Sequence, residues 1–257
     1  MKDELVYSLY TELRDAGYVK MYDDVKSKFV MWVAETRNRP KSKELVMERI
    51  KGLKDFQIPK SYISFIESEL RDTDSIRYHI VPLDNIMIHY FVIDNDSLIG
   101  RNPDMPEITS AFTRMCLNES EKPVDDSADD VEEKDPWYKM FAVIMLGAKS
   151  PEFEDSTNNP IGFTMKHELA HVVLKYVNDV VYPGVLDKYV GEDKFTEDEM
   201  KLFIEFLCDF TQFDIPVINK YSGNPIGRFS DVAEVLFKPE RVEQYAPILK
   251  AISKYFA

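Results

Sequence analysis

The 257-residue sequence predicts an α+β fold: a helical N-terminal part, then a small mixed sheet packed on one helix, then a helical C-terminal part. Three changes of pattern predict it. Residues 3–71 carry apolar side chains at helical spacing, residues 75–93 switch to the alternation of strands, and helical spacing returns after residue 159. The expected division is a helical subdomain over 1–72 and a mixed domain over 73–257. A chain of this length has room for one large core or two small ones.

Leu5, Leu9 and Leu13, with Val6 and Tyr10 beside them, mark a first helix. Met21, Val25, Phe29, Trp32 and Val33 mark a second that ends before Pro40. Val46, Ile50 and Leu53 mark a third, and Tyr62, Ile63, Ile66 and Leu70 a fourth, opened by Pro59 because the fixed φ of proline suits a helix start. These four helices read as scaffold or as a cover that binds a partner. Ile76, Tyr78 and Ile80 then alternate with polar neighbours, and Ile86–Ile93 is almost continuously apolar. The pair reads as a hairpin through Pro82–Asn85, its second strand covered on both faces. His79 and His89, on these strands, read as packed residues and not as ligands. Asp94-Asn95-Asp96 reads as a turn, because Leu98 and Ile99 break the ligand alternation of a calcium loop.

Two further strands are expected. Phe141–Leu146 is uniformly apolar and suits the middle of a sheet, whereas Ile108–Leu117 mixes Thr109, Ser110, Thr113 and Arg114 with apolar residues and suits an edge over 109–114. Between them, Glu119–Asp135 holds nine acidic residues and two lysines, half of the chain's net charge of −14, and reads as a solvated loop. The overall charge argues against nucleic acid or an anionic membrane as partner. No apolar run approaches the ~18 residues of a membrane span, and the first twenty residues read as a charged amphipathic helix, not a signal peptide. Cys116 and Cys208 give no disulfide framework. The expectation is a soluble, cytoplasmic protein.

The chemistry concentrates in residues 159–176. His167 and His171 stand four apart, so a helix presents them one turn apart on one face, placed to share a metal. Glu168 lies between them, where a carboxylate can take a proton from water at an open coordination position. Ile161, Met165, Leu169, Val172 and Tyr176 form an apolar stripe that would seat this helix on a core, with Asn159 as cap and Pro160 in its first position. His-Glu-x-x-His in this setting is the zinc metallopeptidase signature. Leu174 and Val177 occupy the positions of the glycine and third histidine of the metzincin pattern, so a third ligand must come from elsewhere.

Val180–Gly184 reads as a turn and Glu192-Asp193-Lys194 as a connector. Thr196-Glu197-Asp198-Glu199 is a capping box opening a helix through Met200, Phe203, Ile204, Leu207 and Phe210, ending before Ile215-Pro216. Tyr221–Gly227 reads as a loop, and Asp231–Phe237 and Arg241–Phe256 as closing helices. The capped helix contains Glu205-Phe206-Leu207-Cys208-Asp209, thirty-four positions beyond His171.

With His-Glu-x-x-His on one helix and Glu-x-x-x-Asp on a later one, the sequence resembles the gluzincins, the thermolysin-like branch of the zincin metallopeptidases. The resemblance covers residues 160–210 and implies a zincin-like sheet packed on the motif helix. It also implies zinc held by His167, His171 and Glu205, Glu168 as general base, and Asp209 as acceptor for the outer N–H of a ligand histidine. Glu205, eleven residues before Pro216, is also similar to a pattern in the small repressor-cleaving metallopeptidases, although Phe206, Leu207 and Cys208 replace their small residues. Thermolysin-like enzymes carry a further histidine that stabilises the oxyanion, and none follows His171 here, so Tyr182, Tyr221 and Arg228 stand as candidates.

In that family the substrate peptide lies antiparallel along an edge strand, and Ser110-Ala111-Phe112 resembles that strand. The acidic loop is then expected to border the cleft and to favour basic peptides. The functional expectation is a zinc-dependent endopeptidase acting on a peptide or protein. The competing expectations are a non-catalytic member of the fold with a structural metal, and a helical scaffold with none. A structural zinc has four protein ligands and a catalytic one keeps an open position, which separates the first two.

Overall fold

The computed structural model describes residues 2–36, 41–73, 75–83, 85–93, 111–122, 136–147, 163–211, 237 and 239–253. Among these residues the fold is a mixed α+β one, with seven α-helices and a five-stranded mixed sheet. Its contacts divide it into two compact units, one formed by Met1–Ser27 with Leu169–Ala257 and the other by Lys28–Glu168. The expected boundary near residue 72 falls inside the second of these units.

The second unit holds the sheet, in the order β1 (Lys41–Ser42), β2 (Ser75–Leu83), β3 (Ile86–Ile93), β5 (Met140–Gly147), β4 (Ala111–Leu117). Strands β2 and β3 form the expected antiparallel hairpin, and β4 pairs antiparallel with β5. The β3–β5 pair is parallel, which makes the sheet mixed. The uniformly apolar β3 and β5 are buried along their whole lengths, while β4 is half-buried and has β5 as its one neighbour among the described residues. Among the described residues β4 therefore takes the edge and β5 an inner position, as the polar content of β4 and the apolar run of β5 predict. The two-residue β1 carries no periodicity a sequence reading can use.

Helices α3 (Lys43–Lys51) and α4 (Lys60–Glu69) cover one face of the sheet. Val46, Ile50, Ile63 and Ile66 pack there with Tyr78, Phe91, Phe141, Val143 and Met145. Ser42 caps α3 by accepting the Leu45 N–H, and Pro59 stands just before α4. On the opposite face, Phe29 of α2 (Tyr18–Thr36) meets Tyr90 of β3 edge to face at 5.2 Å.

Among the described residues the first unit is helical. It contains α1 (Asp3–Asp15), which buries Val6, Leu9, Tyr10 and Leu13, together with most of α5 (Phe163–Tyr176), α6 (Glu197–Phe210) and α7 (Pro239–Ile252). Helix α7 packs against α1 and α6. Past Tyr176 the chain does not turn at once. Val177–Val181 form a widened helical turn, closed by the Tyr182 N–H on the Val177 carbonyl at 2.8 Å. The reversal comes at Gly184, whose φ of 73° suits glycine and whose N–H bonds the Asn178 carbonyl at 2.8 Å. The capping box opens α6 as expected: Thr196 Oγ1 accepts the Glu199 N–H at 3.1 Å, and Glu199 Oε2 accepts the Thr196 N–H at 2.9 Å. The stretches 94–96, 108–110, 123–135, 151–162, 212–236 and 254–256 lie outside the described residues. With them go the calcium-like turn, most of the acidic loop, the Asn159 cap and all but Phe237 of the Asp231–Phe237 helix.

His79 and His89 are sheet residues. His89 is fully buried, with Nε2 3.1 Å from Met87 Sδ and Nδ1 2.9 Å from the Tyr78 hydroxyl. A thioether can only accept, so Nε2 carries the proton and Tyr78 donates to Nδ1. Burial pushes the His89 pKa down to about 3 and that of the half-buried His79 to about 4. Because the folded state lowers these values, the unfolded chain binds protons first, and stability present above pH 6.5 is lost as pH falls toward about 3. With chelator present, the wild-type chain should lose roughly 2–3 kcal/mol more stability than His89→Gln between pH 7 and about pH 4.5, measured by urea unfolding. Equal losses in the two proteins would remove His89 as the source.

Candidate metal centre

Helix α5 is held by its apolar stripe. Met165, Leu169, Val172, Val173 and Tyr176 are buried, which leaves His167 and His171 together on the half-buried face. Helix α6 works the same way: Phe203, Phe206, Leu207 and Phe210 are buried, and Glu205 and Asp209 share another face one turn apart. The ring of Phe206 stacks on Phe210 at 5.1 Å and meets Phe237 and Tyr245 at 5.9 and 5.3 Å, so the register of α6 is set by aromatic packing.

His167, His171 and Glu205 form a group that could hold a metal ion. One ligand atom from each lies within 4.8 Å of the others. His171 Nε2 stands 3.5 Å from Glu205 Oε1, longer than a good N–H···O bond. Two ligands bound to zinc at ~2.1 Å with a tetrahedral angle between them stand roughly 3.4 Å apart. A loose ion pair and a shared ion both fit that separation, and two imidazoles with one carboxylate are a donor set that could hold zinc. Among the described residues the group has three donors, one fewer than a closed structural site.

Glu168, beside His167 on α5, is 9% exposed. Its Oε2 accepts a hydrogen bond from the Thr113 hydroxyl of β4, a neighbour in the same unit. Asp209 is buried, and its Oδ2 accepts from the Tyr245 hydroxyl at 2.9 Å and from Arg241 Nη1 at 3.5 Å. Arg241 Nη1 also lies 3.5 Å from Glu205 Oε2 and donates to the Tyr245 hydroxyl oxygen at 2.5 Å. Burial opposes the charge of Arg241, but Tyr245, Asp209 and Glu205 outweigh it and raise its pKa, so it is a permanent cation. Burial, followed by the Asp209 carboxylate, pushes the Tyr245 hydroxyl far up, so it stays protonated as a donor.

Of the residues singled out from sequence, His167, His171 and Glu205 are assembled, with Glu168 on the same helix as the histidines and Asp209 one turn beyond Glu205. The Tyr182 hydroxyl is engaged by Lys188, whose ammonium also sits 3.8 Å over the Tyr182 ring. Tyr221 and Arg228 lie outside the described residues. Sequence reasoning missed Thr113, Arg241 and Tyr245. Arg241 and Tyr245 are one turn apart on α7, a spacing common to every amphipathic helix, and Thr113 is one polar residue among several on an edge strand. Nothing local distinguishes them.

No family model, curated protein or solved structure matches the chain.

Replacing His171 by Ala leaves two donors, and zinc affinity should fall by orders of magnitude in a competition titration against a chromophoric chelator. Retention of one zinc at wild-type affinity would exclude His171 as a ligand.

Proposed function

We propose that the chain is a zinc-dependent endopeptidase of the gluzincin type, with His167, His171 and Glu205 as ligands and Glu168 as general base. The observation that carries the reading is the convergence of the three donors from two helices, with the 3.5 Å Nε2–Oε1 separation a shared ion needs. When bound, zinc would supply a Lewis acid that polarises a peptide carbonyl and makes water acidic enough to lose a proton near neutral pH.

The chain's own residues supply the rest. Glu168 takes the proton of the attacking water and returns it to the leaving amine, a role for an acceptor with restricted access to solvent. Thr113 holds one oxygen of Glu168, which orients the carboxylate and leaves the proton transfer to the other. The side of β4 that has no strand neighbour among the described residues could offer backbone N–H and C=O groups to an extended peptide. Because Thr113 belongs to that same strand, a peptide added to it lies next to the base. The substrate class is accordingly an extended segment of peptide or protein. A preference for basic side chains, drawn from the acidic stretch after β4, rests on residues of which Glu119–Lys122 are described, Glu119 and Glu121 being exposed. The lack of a fourth donor among the described residues supports catalysis over a purely structural metal. No helix among the described residues is long and apolar enough to cross a membrane.

Glu168→Gln keeps the size of the side chain and removes the proton acceptor. It should retain zinc and lose hydrolysis of an unfolded protein or a quenched-fluorescent peptide library, and parent-rate cleavage would exclude Glu168 as base. Thr113→Val should keep zinc and lower kcat by roughly tenfold to a hundredfold through loss of orientation. An unchanged kcat would reduce Thr113 to a packing residue.

A further inference from the structure

We infer that Arg241 and Tyr245 are positioning residues that hold Glu205 to donation through a single oxygen, keeping one coordination position open. The inference rests on the metal-site reading above and concerns two residues that reading does not use. The two oxygens of Glu205 have different neighbours among their contacts: Oε1 faces His171 Nε2 at 3.5 Å, and Oε2 faces Arg241 Nη1 at 3.5 Å. A carboxylate can bind a metal through one oxygen or both, and the second mode fills the position that water or substrate would take. A guanidinium beside Oε2 competes for that oxygen and favours the first mode.

The guanidinium does not stand there unaided. Its Nη1 donates to the Tyr245 hydroxyl at 2.5 Å, and that hydroxyl donates to Asp209 Oδ2 at 2.9 Å. Tyr245 has no exposed surface, and its ring meets Phe237 and Phe206 edge to face at 4.7 and 5.3 Å. The Arg241 guanidinium lies 5.8 Å from the same ring centroid. A continuous path therefore runs from the aromatic core through Tyr245 to Arg241 and ends on Glu205. Asp209, one turn beyond Glu205 on α6, closes the loop by accepting from both α7 residues. The Arg241–Glu205 ion pair is part-exposed and by itself adds little to stability. The arrangement acts on where Glu205 points.

Cobalt(II) in place of zinc tests the inference, because its visible absorption is strong in four-coordinate sites and weakens as coordination number rises. The full chain is titrated with cobalt chloride, and circular dichroism checks folding of each variant. The wild-type chain should give an intense band. Arg241→Gln and Tyr245→Phe should each give a severalfold weaker one, with metal affinity or kcat changed by roughly 10–100-fold, as for other residues that orient metal ligands. Arg241→Lys, which returns a charged donor to Glu205, should recover most of the band. A wild-type band left unchanged by both Arg241→Gln and Tyr245→Phe would overturn the inference and leave the metal site standing. A wild-type chain that gives no band would overturn both.

Discussion

The site depends on apolar packing that holds polar atoms at a distance they would not choose alone. His171 Nε2 and Glu205 Oε1 stand 3.5 Å apart on half-exposed side chains, where direct pairing contributes ~1 kcal/mol at most. Each of Leu169, Val172 and Val173 on α5, and Phe203, Phe206 and Leu207 on α6, contributes about 1.5–3 kcal/mol by burial. The apolar stripes outweigh the polar contact several times over. The helices therefore stand where their cores put them, and the ligand atoms follow.

The three carboxylates around the motif share one further property. Each has an oxygen held by a donor from another element: Glu168 by Thr113, Asp209 by Tyr245 and Arg241, and Glu205 by Arg241. Two of these donors are hydroxyls and one is a permanent cation, so the negative charge near the histidines is only partly offset. Each carboxylate is thereby restrained in direction.

The four histidines show how far environment governs one residue type. His89 lies in a sheet core where burial pushes its pKa down to about 3, and its two nitrogens are committed to Tyr78 and Met87. His171 lies half-buried beside a carboxylate, with its Nε2 turned toward Glu205. The first is a neutral structural group, and the second belongs to a group that could hold a metal ion. Spacing separates them in the sequence: His167 and His171 are one helical turn apart, whereas His79 and His89 sit on different strands.

By itself the sequence determined what is local. Periodicity located the helices, the β2–β3 hairpin and the contrast between inner β5 and edge β4, because burial on one face or both leaves a pattern readable within a few residues. The capping box at Thr196 and the histidine pair on α5 were legible for the same reason, and Glu205 followed from its helical pairing with Asp209 and a likeness to known spacing. Tertiary structure alone decided which elements meet. Thr113 reaches Glu168 across fifty-five positions and Arg241 reaches Glu205 across thirty-six, and neither has a local signature. The parallel β3–β5 pair and the two-residue β1 were hidden likewise, since strand direction and bridging depend on partners distant in the chain. A donor's identity is written at its own position, but its acceptor is selected by the packing of apolar surfaces contributed from many positions at once.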